Sequence, residues 1–238
     1  MCFLKYGRKL AYFLIISFDL LAININKISF ENSFIKESSL NSTTLVVTFG
    51  GLGLQIAMPP FEFMNMLKPY KVNQLFVRDL QQAWYQFGLE LNSNIPDTIP
   101  KLKLLIDSFH ADKIIFFGNS SGGYAALLFG FLFKVDEVHA FVPYSFLEQD
   151  QFKCYPKIKL EYLDLQRVFN KKNNQKTKFH IYYSIDSQRD VLQAERLHFD
   201  NITHHIYKGK LGNDHGHDLI QTLKKEGLLA KLIEEILN

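Results

Sequence analysis

Hydrophobic positions along the chain fall into short β-branched and aromatic runs separated by longer periodic stretches. The runs at 44–49, 75–78, 113–117, 138–142, 179–183 and 204–207 predict strands. Several are apolar at successive positions, which is how a strand covered on both faces of a parallel sheet reads. Between them, 99–110 carries Leu102, Leu105, Ile106 and Phe109 on one helical face, with Pro100 acceptable in a first turn. Residues 121–133 are apolar nearly all round, predicting a buried helix, and 191–199 and 219–237 complete the series. The Asn- and Ser-rich stretches 37–43 and 171–176 predict surface loops. Strands alternating with helices predict a three-layer α/β/α sandwich with a mostly parallel sheet, whose ligands bind beyond the carboxyl ends of the strands.

The first 24 residues form a separate segment. Lys5, Arg8 and Lys9 precede the apolar stretch 10–18, then Asp19 and a further apolar patch to Ile23. A basic start followed by a short apolar region is the pattern of a secretory signal or membrane anchor. A span needs about 20 apolar residues, however, and Asp19 interrupts this one with no small-x-small cleavage site after it. The preferred expectation is an extra helix or strand packed on a single domain at 25–238, in a cytoplasmic protein. Export, or membrane contact through 1–24, is the alternative.

Composition narrows the class. The chain has 238 residues, 47% hydrophobic and 21% charged, which suits one globular core built largely from its 22 Phe. The formal charge of +3 is spread among interspersed acids, so no nucleic-acid partner is expected. Two cysteines, Cys2 and Cys154, cannot form a disulfide scaffold and fit a reducing compartment.

Chemistry concentrates after the strand runs. The 113–117 run leads into Gly118-Asn-Ser-Ser-Gly-Gly123 and then the buried helix. In G-x-S-x-G a strand turns sharply into a helix, which forces Ser120 into a strained conformation and leaves no room for side chains at Gly118 and Gly122. A glycine-rich turn without chemistry would share the pattern, but the preceding buried strand and the small Gly123, Ala125 and Ala126 favour a nucleophile. Phosphate cradles do not fit: Tyr124 stands where a P-loop needs Lys, and Ile56 where a dinucleotide fingerprint needs Gly.

A serine nucleophile needs a base and an acid that orients the base, in the chain order Ser, Asp or Glu, His for this architecture. Asp186 and Asp190, after the 179–183 run, are both placed for the acid, and helix capping is an alternative role for Asp190. On the last loop, His217 follows Gly216 and directly precedes a helix, which favours it over His215 as base. His110, His139, His180 and His198 lie on helices or strands and are expected to pack or to face solvent. The group His204, His205, Asp214, His215, His217 and Asp218 offers metal-ligand chemistry. It lacks H-E-x-x-H spacing, though, and His204 and His205 must face opposite sides of a strand, so no metal is expected. Backbone N–H groups of Ser121 and of Gly51 and Leu52, in the Phe49-Gly-Gly-Leu-Gly53 loop, are candidates for the oxyanion hole. Arg78 could bind an anionic or sugar substrate, with Trp84 and Tyr85 stacking on a glycan ring. The preferred expectation is an internal Arg78–Asp79 ion pair with Trp84 in the core.

These residues resemble the α/β-hydrolase superfamily over about 25–238. The carriers are Gly118-Asn-Ser-Ser-Gly-Gly-Tyr-Ala-Ala-Leu-Leu-Phe-Gly130, Asp190-Val-Leu-Gln-Ala-Glu-Arg-Leu197 and Gly216-His217. The double-glycine elbow is similar to that of a bacterial subgroup that includes surface-polysaccharide O-acetyltransferases. The resemblance implies a Ser120–Asp190–His217 triad, an acyl-enzyme, and neither metal nor cofactor. The chain departs from it in lacking the H-G-G-G motif of lipases, with Phe49-Gly-Gly-Leu in its place, and in showing no large lid insertion. The expected function is serine-dependent acyl transfer, as an esterase or O-acetyltransferase acting on a small-molecule or glycan ester. The alternatives are a catalytically silent hydrolase-fold protein that binds a glycan or protein partner, and a metal-dependent hydrolase using the histidine cluster.

Overall fold

A computed structural model describes residues 29–39, 41–52, 61–148, 161–171, 174–208 and 218–237. Segment 1–24, both cysteines, Asp214, His215 and His217 lie outside the described residues. Among the described residues, seven strands form one sheet: β1 (Phe34–Glu37), β2 (Thr44–Phe49), β3 (Asn73–Val77), β4 (Lys113–Asn119), β5 (Glu137–Phe141), β6 (Lys178–Ser184) and β7 (Ile202–Tyr207). Their spatial order is β1-β3-β2-β4-β5-β6-β7. Only β1 runs antiparallel, against β3; the other neighbours are parallel.

Helices α1 (Met64–Leu67), α2 (Ile95–Asp107), α3 (Ser121–Phe133), α4 (Leu165–Lys171), α5 (Gln188–Glu195), α6 (Leu219–Lys225) and α7 (Leu228–Leu237) connect or follow these strands. Strand pleating divides the core. On one face, Phe49 and Phe116 meet Phe129 and Phe133 of α3, and Phe179 meets Phe131 of α3 and Phe169 of α4. On the other face, Phe117 and Phe141 pack on Phe63, beside α1, while Glu235 of α7 lies near Tyr182 and Tyr207. Helices on both faces of the sheet make the expected three layers. Among the described residues, no helix is long and apolar enough to cross a membrane.

The sequence expectation does not include α1 or α4, and three further differences have a clear physical cause. β1 has no apolar signature, since two of its four residues are exposed and its place comes from pairing with β3. α2 starts four residues before the expected 99, where the Asn94 side chain accepts the Asp97 N–H. Pro100 therefore lies inside the helix and not in its first turn. The 219–237 stretch is two helices, broken where Gly227 takes a left-handed φ of +71°, a common way for a helix to stop.

Candidate active site

β4 ends at Asn119 and α3 begins at Ser121, so the whole turn is made at Ser120, with φ 54° and ψ −115°. That conformation is costly for a residue with a side chain, about 1–3 kcal/mol, and persists only where the surroundings enforce it. The enforcing contacts are explicit. The Ser120 N–H donates to the Phe141 carbonyl at 2.9 Å, and its carbonyl accepts the Tyr124 N–H at 3.1 Å. A Cβ on Gly118 would stand 2.1 Å from the Gly122 carbonyl oxygen, and one on Gly122 would stand 2.0 Å from that of Phe49. The spacing read from sequence is thus a steric requirement: strand β2, the elbow and the start of α3 touch backbone to backbone.

The same contact brings the loop after β2 to the elbow. A Cβ on Gly51 would lie 3.2 Å from the Asn119 carbonyl. Among the described residues, no acceptor takes the N–H of Gly51, Leu52 or Ser121. Ser121 is the first residue of α3, whose leading N–H groups have no intrahelical partner and carry the positive end of the helix dipole. Donors of this kind suit a developing oxyanion.

β6 delivers both candidate acids, and their environments differ. Asp186 is exposed, and its Oδ2 accepts the Ser184 hydroxyl at 3.0 Å. Asp190, in the first turn of α5, is 1% exposed. It does not cap the helix; Ser187 does, its hydroxyl accepting the Asp190 N–H at 3.4 Å. The Asp190 Oδ1 lies 3.3 Å from Arg189 Nε. The loop expected to bring the base precedes α6, and both its histidines lie outside the described residues.

A parallel sheet with one antiparallel edge strand, and a left-handed serine wedged between two Cβ-intolerant glycines at a strand–helix turn, define the architecture. Structural neighbours share the overall fold. The capsule O-acetyltransferase of Neisseria meningitidis serogroup A, in complex with CoA, aligns with a TM-score of 0.65 over 86% of this chain and 91% of its own, at 13% identity. This chain has the α/β-hydrolase fold. MGS-MChE2, an α/β hydrolase enzyme from the metagenome of lagoon sediments at Mar Chica, Morocco, aligns at a TM-score of 0.56 and 16% identity, over 85% and 94% of the two chains. MenH from S. aureus aligns at 0.57 and 10% identity, over 87% and 99%. At these identities the likeness is one of fold, and the neighbours include an acetyltransferase and a hydrolase. No protein-family model and no curated protein matches the sequence.

Beside the elbow of this hydrolase fold, the Arg78–Asp79 expectation is overturned. Asp79 is 2% exposed, and its carboxylate accepts the backbone N–H groups of Gln81, Ala83 and Tyr85 at 3.0, 2.6 and 2.9 Å. Burial pushes its carboxyl up, partly offset by those N–H groups. Arg78 instead donates through Nε and Nη2 to the Asn32 carbonyl at 3.2 and 3.0 Å and lies 4.2 Å over the Phe61 ring. Trp84 lies at the edge of the core, half-buried and packed against it and Tyr144. A backbone-anchored carboxylate leaves no signal in a list of residue types, so sequence reasoning paired it with the nearest cation.

Sequence reasoning also missed a polar network within the sheet. His139 Nδ1 lies 2.9 Å from the Tyr182 hydroxyl, and its Nε2 lies 3.3 Å from Glu137 Oε2. Its ring stacks between Phe117 and His180, and His180 Nδ1 is 3.1 Å from His205 Nε2. His204 faces the other way, bonded to the Leu197 carbonyl, as alternation requires. Glu137, His139 and His180 place ligand atoms within 4.8 Å of one another. Yet the two imidazoles are parallel to within 4° at 4.6 Å. A zinc ion lies about 2.0–2.1 Å from each ligating nitrogen and close to the plane of its ring, and two parallel stacked planes share no such point. In this arrangement the group is a hydrogen-bonded ladder, legible only once cross-strand register is known.

The ladder makes stability depend on pH. Burial holds His139 below its ordinary value and, with the neighbouring His139, takes His180 down to about 4 from 6.5. The His139 hydrogen bond, and after it Lys113, overcome burial to hold Glu137 down to about 2. Between pH 6.5 and 4 the unfolded chain binds more protons on these histidines than the folded one, so stability falls as pH falls through that window. Thermal melts at pH 7.5, 6 and 5 should show Tm dropping by several degrees, and His180→Phe should flatten the drop. A Tm unchanged from pH 7.5 to 5 would contradict this account.

Proposed function

We propose that the protein is a serine-dependent acyl-transfer enzyme acting on an acyl ester, of a glycan in the favoured case, through an acyl-enzyme. The observation that carries this reading is the strained Ser120, a conformation that presents a hydroxyl at the carboxyl edge of the sheet. Ser120 Oγ attacks the ester carbonyl while His217 takes its proton and then passes it to the departing alkoxide. Asp190 holds the imidazole's tautomer and stabilises the imidazolium. The N–H groups of Ser121 and of the Gly51–Leu52 loop receive the oxyanion, each worth about 3 kcal/mol in the transition state. The burial of Asp190 supports its role over that of Asp186, because a desolvated carboxylate orients an imidazole more strongly than a solvated one.

Water resolving the acyl-enzyme makes an esterase; a sugar hydroxyl makes an O-acetyltransferase. The CoA complex of the capsule O-acetyltransferase neighbour supports acetyl-CoA as the donor to try, with product analysis in the presence and absence of a glycan acceptor. A fluorophosphonate probe tests the chemistry common to both. The folded protein should be labelled covalently, and Ser120→Ala should not be. Labelling that persists in Ser120→Ala, or a folded wild type that resists the probe, would refute the reading and favour a silent binding protein.

A further inference from the structure

Three strand ends bring side chains to the rim of the elbow that the acyl-transfer steps leave unused. Trp84 follows β3, and its neighbours fix its place. The Tyr85 hydroxyl donates to the Gly50 carbonyl at 2.8 Å, and Gln86 Nε2 donates to the Tyr124 hydroxyl at 2.6 Å. Tyr144 follows β5, whose last carbonyl, at Phe141, receives the Ser120 N–H. Pro143, just before Tyr144, lies 2.9 Å from the position of a Cβ on Gly123. Arg189 comes from α5, beside Asp190.

The backbone is strained where these side chains emerge, with positive φ at Gln82 (49°), Trp84 (57°), Tyr85 (60°) and the β-branched Val142 (40°). Such outliers gather at functional sites. The Trp84 and Tyr144 rings meet at 4.5 Å and 58°, making an angled wall, and both residues are half-buried. Arg189 stands 5.5 Å over the Tyr144 ring with its side chain 53% exposed. Its Nε faces Asp190; among the described residues, its two terminal nitrogens meet no acceptor. An aromatic wall offers its negative faces to the polarised C–H bonds of a sugar ring, and a half-exposed guanidinium fork binds a carboxylate or phosphate through paired N–H groups.

We propose that Trp84, Tyr144 and Arg189 form a subsite for an anionic sugar, whose ring lies against the two aromatics and whose acidic group meets the Arg189 fork. The subsite rests on the acyl-transfer reading only in that the sugar would carry or receive the acyl group at Ser120. Trp84 is the sole tryptophan of the chain, so its emission reports binding without any turnover. The whole protein is titrated with oligogalacturonate (a sugar carboxylate), mannose 6-phosphate (a sugar phosphate) and a neutral cello-oligosaccharide. A saturable emission change with at least one acidic sugar is expected, with affinity at least tenfold above that for the neutral one. Arg189→Gln should erase that preference, and Tyr144→Ala should weaken binding at least tenfold. Flat emission with both acidic sugars, equal affinity for the neutral sugar, or unchanged binding by Arg189→Gln would overturn the subsite. Fluorophosphonate labelling of the same preparations separates the two ideas. Labelling without a sugar response removes the subsite alone, and a sugar response without labelling removes the catalytic reading.

Discussion

Replacing Ser120 with alanine should lower kcat for ester turnover by about a million-fold, leaving only what the oxyanion donors and substrate binding supply, about a thousandfold over water. The variant is a clean test because serine and alanine both carry a Cβ and bear the same strain at φ 54°. The fold should therefore survive with an unchanged melting temperature. Ser120→Gly should be equally inactive yet more stable by about 1 kcal/mol, because glycine adopts positive φ without a Cβ clash. His217→Ala should fall nearly as far, since nucleophile and base act as one unit, and combining it with Ser120→Ala should add almost nothing. Steady-state kinetics on an aryl acetate, alongside thermal melts, measure all of this. Ser120→Ala activity within tenfold of wild type would remove the nucleophile from the account.

Asp190→Asn should cost about four orders of magnitude in kcat, whereas Asp186→Asn should stay within about threefold. In the proposed triad, an amide at 190 keeps the shape but loses the charge assigned to holding the imidazole in its working tautomer and to stabilising the imidazolium. The contrast comes from burial: Asp190 is 1% exposed, so its field acts through little water, whereas Asp186 faces solvent and already accepts the Ser184 hydroxyl. Kinetics of the two variants on the same ester decide it. A larger loss at Asp186 would reassign the acid.

What the sequence made legible was local or doubly buried. β2 and α3 have the predicted bounds, because an unbroken apolar run and a turn of fixed glycine spacing are written in consecutive residues. The elbow was readable for the same reason, since Gly118 and Gly122 record contacts with backbone only a few residues away or one strand over. β1 was hidden because half of it is solvent-exposed and its pairing partner lies some forty residues downstream. Asp79 was misassigned because its partners are main-chain groups, which carry no residue identity. The Glu137–His139–His180–His205 ladder depends on register across three strands, and Trp84 meets Tyr144 only because two loops converge.

Asp79 works as a peg. One sunken anion gathers three main-chain amides, so part of the path of segment 81–85 is set by peptide groups, which every amino acid shares, and the Tyr85 and Gln86 side chains pin the rest. Trp84, half-buried on that segment, makes none of these bonds. Trp84 of the proposed subsite can therefore be exchanged for another side chain while the anchored framework beneath it keeps its course.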